Sequence, residues 1–347
     1  MAGTGSNDGN RSGESGVGDN TCGSGAMSGS TGRREVHGNS GGNGSRKGGV
    51  RSLAWLNAVR EAGLGYLWIL PALVVFGVFV FFPLLKAVWL GFFETPPFPN
   101  LPAHFVGLSQ YASTLSSAIF LHSLWRTVLF VIFTVPAGIV LGIALATLAH
   151  QRLAGIRVFR TIFSSTVATS TAVASVIFFT LLDPQVGLFS YWLGQRGGTG
   201  ILANPTLALP AVSVVTIWQN IGFTFILMSA ALQSVPDDLL EAARIDGASN
   251  WFRFRTVTLP LLSPTVFFAS IIGIIGSFQA FGQIDLLTQG GPNNHTLVLI
   301  YYIYQAAYTD SNYGLAAVLS IALFAILLVL TLVQFWFFER RVFYVGS

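Results

Sequence analysis

Six long apolar stretches dominate this chain and limit what it can fold into. Each is long enough to cross a hydrocarbon core of about 30 Å as a helix, and none alternates in the way that a membrane β-strand requires. At 52% hydrophobic and 9% charged residues, the composition is far from the roughly 25% charged residues of a soluble domain. The sequence therefore predicts an all-α integral membrane protein. The six stretches cover approximately residues 66–92, 123–149, 159–182, 207–233, 263–283 and 314–338.

The placement of lysine and arginine predicts how the chain is oriented. With the amino terminus inside, 15 of the 18 basic residues fall on the inner side and Arg196 alone falls outside, while Lys86 and Arg126 lie in or at the ends of spans. Because cytoplasmic loops are enriched in basic residues, both termini and the loop after the fourth stretch are predicted to be cytoplasmic. The sequence pI of about 9.4 follows from this topology without any role in nucleic-acid binding.

The first 50 residues differ in kind from the rest. They contain 16 glycines, with serine, asparagine, threonine and charged residues making up nearly all the remainder. This composition predicts a disordered cytoplasmic tail over 1–50, followed by a six-helix transmembrane domain over 51–347. The tail has no apolar segment of the kind found in a secretory signal peptide. Its Cys22 is the only cysteine, which excludes an intrachain disulfide and a cysteine-based metal site.

The segment 234–262, between the fourth and fifth stretches, has the marks of a charged helix with defined ends. Ser234 offers a hydroxyl for an amino-terminal cap and Pro236 suits an early helical position. Gly247 stands where a left-handed residue would end the helix. Three acids lie near the positive end of the helix dipole, namely Asp237, Asp238 and Glu241. Four residues can supply apolar contacts, namely Leu239, Leu240, Ala243 and Ile245.

The run Trp251–Arg255, of alternating aromatic and basic character, follows this helix. Its composition is typical of a segment at the bilayer interface, with rings at headgroup depth and arginines in water. Pro260 then opens the fifth apolar stretch.

Catalysis is not expected from this sequence. Neither Lys47 nor Lys86 belongs to a GxxxxGK[ST] phosphate-binding loop, so any ATP must be bound by a partner. The five histidines fall in the tail, in loops or at span ends, which argues against a Ser/His hydrolase and a histidine metal site. No cofactor or metal is therefore predicted for the chain itself.

The charged helix carries a resemblance to a known family. Glu241-Ala242-Ala243, then Gly247, then nine residues, Val257 and Leu259-Pro260, resembles the cytoplasmic signature of permease subunits of bacterial ABC importers, with valine in place of the commoner isoleucine. Leu287–Pro292 and Tyr313–Ala317 are similar to the carbohydrate-uptake branch, of the maltose and sn-glycerol-3-phosphate type. Thr-Gln-Gly-Gly-Pro and the ending Phe338–Arg341 look most like importers of glycerol-3-phosphate and glycerophosphodiesters.

The resemblance implies a type I importer permease fold in a bacterial inner membrane. Such a permease pairs with a second permease, two copies of an ABC ATPase that binds ATP and Mg²⁺, and an extracytoplasmic solute-binding protein. Its cytoplasmic coupling helix docks in a cleft of an ATPase, so that ATPase closure opens the cavity outward. The residues carried over to this role are Glu241, Ala242, Ala243, Arg244, Asp246, Gly247, Leu259 and Pro260.

Polar side chains within spans are costly in lipid and tend to face a cavity or another helix. The polar cluster of the fourth stretch, Gln219, Asn220 and Thr224, matches the place where maltose-type relatives bind sugar. In the fifth stretch, the matched position Ala280 lacks the polar group expected of the maltose type. Helix-to-helix hydrogen bonds are the competing interpretation. Gly273, Gly276 and Ser277 form a small-residue face expected to pack against the partner permease. The predicted solute-path residues are Gln219, Asn220, Thr224, Ser277, Phe278, Gln279 and Gln283.

The expected solute is sn-glycerol-3-phosphate or a glycerophosphodiester such as glycerophosphocholine, with a disaccharide or oligosaccharide of the trehalose or maltose type as the alternative. A channel and a secondary transporter are alternatives from other classes. The sequence shows no selectivity-filter motif for a channel, and its mid-span polar groups are amides and hydroxyls in place of the ionisable groups of ion-coupled carriers. Neither class accounts for the Glu241 helix.

Overall fold

A computed structural model of the chain describes residues 68–96, 102–151, 154–192 and 200–338. The described residues from Leu70 to Phe338 belong to one compact unit. Several features interpreted from the sequence lie outside the described residues, namely the tail 1–50 with Cys22, the segment 51–67, Arg152, Arg196 and Glu339-Arg340-Arg341.

Helices make up nearly all of the described chain, and the predicted all-α fold is confirmed. Four continuous helices are long and apolar enough to cross a membrane, and two bent pairs bring the number to six if each pair is one span. The first, second, fourth and sixth spans are Trp68–Leu90, Ala118–His150, Ala208–Gln233 and Tyr313–Phe338. The first span contains a π-helical turn at Gly77–Phe81. The bent pairs, the third and fifth spans, are Ile156–Ala168 with Thr171–Leu182 and Asn250–Leu261 with Ser263–Phe278.

The third span is not the continuous helix predicted over 159–182. Ile156–Ser165 and a 3-10 turn at Thr166–Ala168 precede Thr171–Leu182, and the two parts meet at 106°. The break falls in a run rich in serine and threonine, whose side chains compete with the backbone for hydrogen bonds. Ser170 Oγ accepts the Val173 amide at 3.3 Å and starts the new helix.

The fifth span also departs from the predicted continuous helix over 263–283. Its helix Ser263–Phe278 bends by 65° from the preceding pieces Asn250–Arg253, Phe254–Thr258 and Leu259–Leu261. At its far end Gln279 and Ala280 leave the helical conformation before a short helix, Phe281–Leu287. Irregular backbone at membrane depth is tolerated only where it is buried in protein or lines a cavity.

The second span starts five residues before the predicted 123. Ser117 caps it by accepting the Phe120 amide at 3.2 Å, and Pro136 is accommodated inside the helix. Polar residues in the first turns obscured this start in the sequence. Arg126, which lies further along and inside the predicted stretch, has its guanidinium 3.0 Å from Nδ1 of His295.

Short elements that the sequence did not predict join the spans at the end opposite the Glu241 helix. Phe93–Glu94 pairs antiparallel with His104–Phe105. The Thr95 hydroxyl donates to Asn312 Oδ1 at 3.1 Å, which ties this hairpin to the start of the sixth span. The remaining helices at this end are Ser109–Leu115, Leu188–Trp192, Leu299–Tyr304 and the π-turn Gln305–Thr309.

Two apolar clusters lie towards opposite ends of the spans. The larger one joins the second, fourth and sixth spans to the short helices after the fifth, around Phe130, Ile284 and Leu319. The smaller one joins Ile143 and Ala146 of the second span to Phe225 and Met228 of the fourth. A glycine-permitted approach supports this contact, since a Cβ at Gly142 would lie 3.0 Å from Cβ of Thr224.

Gly222→Leu should destabilise the protein by about 1–3 kcal/mol, the usual cost of overpacking. A Cβ at Gly222 would lie 2.7 Å from the Phe163 carbonyl oxygen and would also meet Thr166 Oγ1. Thermal unfolding of the purified protein in detergent measures the effect. Gly138→Ala is the control because no atom lies within 4 Å of its added Cβ. Equal melting temperatures for Gly222→Leu and Gly138→Ala would contradict the close packing described for the third and fourth spans.

Candidate functional site

A cavity of about 520 Å³ opens among the second, third, fourth and fifth spans. The irregular backbone at the far end of the fifth span is part of the cavity wall, since Gln279, Ala280, Gly282 and Gln283 all line the cavity. Six of the seven predicted path residues line this cavity, namely Gln219, Asn220, Thr224, Ser277, Gln279 and Gln283. Residues more than 50 positions apart in the sequence are thus brought to one surface.

Phe278 is the predicted path residue that does not line the cavity. Its side chain is 2% exposed and belongs to the larger apolar cluster. The ring is turned into the core because Ser277, the preceding residue, takes the cavity-facing position. Phe281 is likewise held among aromatic rings, 5.9 Å from Tyr301 and 4.8 Å from Tyr304 between centroids.

A chain of side-chain hydrogen bonds crosses the cavity wall. Gln283 Nε2 donates to Gln219 Oε1 at 2.8 Å, and Gln219 Nε2 donates to Thr171 Oγ1 at 2.7 Å. Gln219 therefore makes interhelical hydrogen bonds, as the competing interpretation predicts, and it also lines the cavity. Sequence reasoning missed Thr171, whose position beside the break of the third span could have been read only from the Ser/Thr-rich run.

Ser277 and Thr134 form a second link, between the fifth and second spans. Their hydroxyl oxygens are 2.9 Å apart, and Thr134 Oγ1 also donates to the Phe130 carbonyl at 2.7 Å. The predicted small-residue face is used inside the chain at Gly273, where a Cβ would lie 3.3 Å from Val135. Gly276 instead has nothing within 4 Å of a built Cβ and lines the cavity.

Asp285, two residues beyond Gln283 of the cavity wall, is half-buried and lies close enough to Tyr301 to act on its hydroxyl. Burial, and then the Asp285 carboxylate, raise the pKa of Tyr301, which keeps the phenol protonated as a donor. Among the described residues, no group of three or more His, Cys, Asp or Glu side chains could hold a metal ion.

The coupling segment is built around helix Asp237–Ile245. Its predicted end is confirmed: Gly247 has φ +76°, its amide donates to the Arg244 carbonyl at 3.1 Å, and the Ala248 amide donates to the Ala243 carbonyl at 3.1 Å. This pair of bonds is the Schellman arrangement, which a glycine adopts without steric cost.

The predicted Ser234 cap is wrong. Ser234 Oγ donates to the Ala231 carbonyl at 2.8 Å and so closes the fourth span, while Pro236 takes the cap position without a side-chain bond. Ser234 lies two residues before the cap position, and its hydroxyl is already bonded to the preceding helix. Asp237 and Asp238 do lie in its first turn, as predicted.

One face of this helix is left uncovered in the described chain. Ile245 is 82% exposed and Leu239 is 45% exposed, and Glu241, Ala242, Arg244 and Asp246 are also exposed, while Ala243 is half-buried. Leu259 and Pro260 lie in the short helix Leu259–Leu261 that leads into the fifth span.

The coupling segment is anchored to the smaller apolar cluster at both of its ends. Val235 precedes the helix and packs against this cluster, as does Phe254, which follows it. Leu262, fully buried, joins the same cluster at the start of the fifth span. A displacement of the helix would therefore act directly on the packing of the second and fourth spans.

The family comparison agrees with this arrangement. Residues 138–343 match the model of the family described as binding-protein-dependent transport system inner membrane component. The chain belongs to this family. It is a multi-pass inner-membrane permease, and the channel and secondary-transporter alternatives are thereby set aside.

Curated relatives of the permease match over most of their length at moderate identity. The chain is 35% identical over 283 residues to the sn-glycerol-3-phosphate transport system permease protein UgpA of Rhizobium meliloti (strain 1021), which covers 81% of this chain and 96% of that one. It is 35% identical over 286 residues to UgpA of Agrobacterium fabrum and 34% identical over 283 residues to UgpA of Yersinia pestis bv. Antiqua, with the same coverage.

Solved structures share the permease fold. A bacterial ABC transporter involved in the import of the acidic polysaccharide alginate aligns with a TM-score of 0.71 at 22% identity, covering 83% of this chain and 99% of that chain. The alginate ABC transporter in complex with its alginate pentasaccharide-bound periplasmic protein aligns with a TM-score of 0.69 at 22% identity, covering 80% of this chain and 94% of that one.

Gln219→Leu should lower the stability of the permease by about 1–3 kcal/mol, the cost of leaving buried polar groups without partners. The change removes the acceptor of the buried Gln283 amide and the donor to Thr171. Thermal unfolding in detergent is the measurement. Gln279→Leu is the matched control, because Gln279 is exposed and its side chain has no hydrogen bond with another described residue. A Gln279→Leu protein that is as unstable as Gln219→Leu would count against the hydrogen-bonded link.

Proposed function

We propose that the chain is the permease half of a binding-protein-dependent ABC importer that moves sn-glycerol-3-phosphate or a glycerophosphodiester inward. The observation that carries the proposal is the 35% identity to a permease named for sn-glycerol-3-phosphate transport, over 96% of its length. The polar cavity of about 520 Å³ among four spans supports it, since it is large enough for a small polyol and its walls offer hydrogen bonds.

The solute path runs through this cavity. The residues that contact solute are Gln219, Asn220, Thr224, Ser277, Gln279 and Gln283, all of which line the cavity. Its wall includes the break at Gln279–Ala280, a position that can change geometry without breaking a regular helix.

The helix Asp237–Ile245 couples the permease to ATP hydrolysis. Its exposed Ile245 and Leu239 provide an apolar contact for the cleft of an ATPase, and Glu241 and Asp246 provide charges for basic or amide groups there. Closure of the nucleotide-bound ATPase dimer moves the helix, and the anchors at Val235, Phe254 and Leu262 transmit the movement to the spans.

The partners are a second, different permease, two copies of an ABC ATPase and an extracytoplasmic solute-binding protein. The permease itself is not catalytic, and ATP and Mg²⁺ are bound by the ATPase. The solute-binding protein docks on the outer side, where the hairpin Phe93–Glu94 with His104–Phe105 and the loops of the other spans lie.

Uptake by the reconstituted complex tests the proposed solute. The permease pair, the ATPase and the solute-binding protein in liposomes should accumulate sn-glycerol-3-phosphate or a glycerophosphodiester only when ATP is present on the ATPase side. Uptake of trehalose or maltose in place of both would assign the complex to the sugar alternative. Uptake by the purified chain alone, without an ATPase, would rule out the importer mechanism.

Glu241→Lys should abolish uptake while leaving the two permeases assembled, because it reverses a charge on the surface offered to the ATPase. The expected loss of ATPase co-purification is at least about tenfold, equivalent to about 1.4 kcal/mol. Quantitative pull-down and uptake in liposomes are the measurements. Gln151→Lys, an exposed change at the end of the second span, is the control. Normal uptake by Glu241→Lys would refute the coupling role.

The predicted orientation places both termini and the coupling helix in the cytoplasm. In a Cys22→Ser background, a cysteine at Ser249 should react with an impermeant maleimide only from the cytoplasmic side, and one at Gln185 only from the outside. Both positions are exposed in the structure. Labelling of intact and permeabilised cells distinguishes the two sides. Labelling of the Ser249→Cys protein in intact cells would contradict the predicted orientation.

A further inference from the structure

Among the described residues, the cavity wall carries no ionisable side chain. Its twenty lining residues among the described part of the chain are apolar, glycine, threonine, serine, asparagine or glutamine. A phosphate monoester carries a charge of about −1.5 to −2 at neutral pH, and burying such a charge without a cation is costly. This surface therefore suits an uncharged part of a solute.

The hydrogen bonds already made within the wall show which groups remain for a solute. Asn220 donates its Nδ2 to the Thr216 carbonyl at 3.0 Å, and Gln283 donates its Nε2 to Gln219 at 2.8 Å. These bonds leave the carbonyl oxygens of both side chains, Asn220 Oδ1 and Gln283 Oε1, as acceptors, together with the second N–H of each amide as a donor. Each bond also fixes which way the amide points.

Ser277 is restricted in the same way. Because the Thr134 proton goes to the Phe130 carbonyl, the Ser277 hydroxyl donates to Thr134 and keeps only its lone pairs for another partner. Gln279, whose amide is exposed at the cavity, supplies both donors and an acceptor. The free groups of the described wall are therefore neutral amide donors and oxygen acceptors, with no cation to balance an ionised phosphate.

We infer that this cavity binds the hydroxyl-bearing glycerol end of the solute and that the phosphate charge is met outside it. A hydroxyl can donate to Asn220 Oδ1 or Gln283 Oε1, whereas an ionised phosphate has no proton to donate and would be repelled by both oxygens. The inference rests on the proposed function and deepens it. It assigns recognition of the polyol to this permease, and it explains how one cavity can serve glycerol phosphate and its diesters, which share the glycerol end.

The experiment compares Asn220→Ala with the wild type in the reconstituted complex. The solutes are sn-glycerol-3-phosphate and its two analogues in which one hydroxyl is replaced by hydrogen. Asn220→Ala should raise the KM for sn-glycerol-3-phosphate about five- to tenfold, the effect of losing one neutral hydrogen bond. The variant should have no further effect on the KM of one of the two analogues, because the contacting hydroxyl is already missing there. A merely structural role would raise the KM for all three solutes alike.

Measurements at pH 5 and pH 8 separate hydroxyl from phosphate recognition, because the second pKa of a phosphate monoester is about 6. The ratio of the mutant KM to the wild-type KM should be the same at both values. Gln151→Ala, which removes an exposed amide outside the cavity, is the control for altered folding or assembly and should behave as wild type.

The outcomes separate this inference from the proposed function. An Asn220→Ala penalty that persists with both analogues, or that changes with the phosphate charge, would overturn the inference while leaving the importer intact. A wild-type complex that takes up neither sn-glycerol-3-phosphate nor a glycerophosphodiester would overturn the proposed solute and this inference with it.

Discussion

Backbone amides and carbonyls at membrane depth need partners within the protein, and this requirement decides where the spans of this permease can bend. At the break of the third span, Ser170 supplies the partner by capping the new helix. After helix Ser263–Phe278 of the fifth span, the Gln279 amide donates to the Ile275 carbonyl at 3.2 Å, and the Phe281 amide donates to the Gln279 carbonyl at 2.8 Å. Thr171 and Gln279, one beside each break, both line the cavity, so the polar space among the spans exists because two helices stop beside it.

Close approach of the helices supplies the second part of the architecture. Gly142 admits Thr224, and Gly222 admits the turn around Thr166, so the second, third and fourth spans pack as one unit. The apolar cluster below the cavity includes Phe225 of that unit and, through Leu262, the end of the coupling segment. The helix Asp237–Ile245 is thus connected to the cavity wall through packed side chains of this cluster.

The chemistry of the cavity follows from how its polar groups are shared. Gln219 is engaged on both sides by Thr171 and Gln283, so it holds the wall together as well as facing the solute space. The two interpretations of intramembrane polar residues, solute contact and interhelical bonding, are therefore not exclusive here. What remains for a solute is a neutral surface of amide and hydroxyl groups, which places the handling of any phosphate charge on other parts of the assembly.

The sequence by itself determined the membrane class, the approximate positions of the spans and the end of the coupling helix at Gly247. These are local properties, because hydropathy over about 20 residues predicts burial in lipid and a positive φ favours glycine. The sequence also selected six of the polar residues of the cavity wall, but it wrongly added Phe278 and missed Thr134, Thr171 and Thr216. Only the tertiary structure decided that Ser234 closes the fourth span, that Phe278 turns into the core and that the third and fifth spans break. Those outcomes depend on which groups from distant segments meet, and a hydropathy pattern does not contain that information.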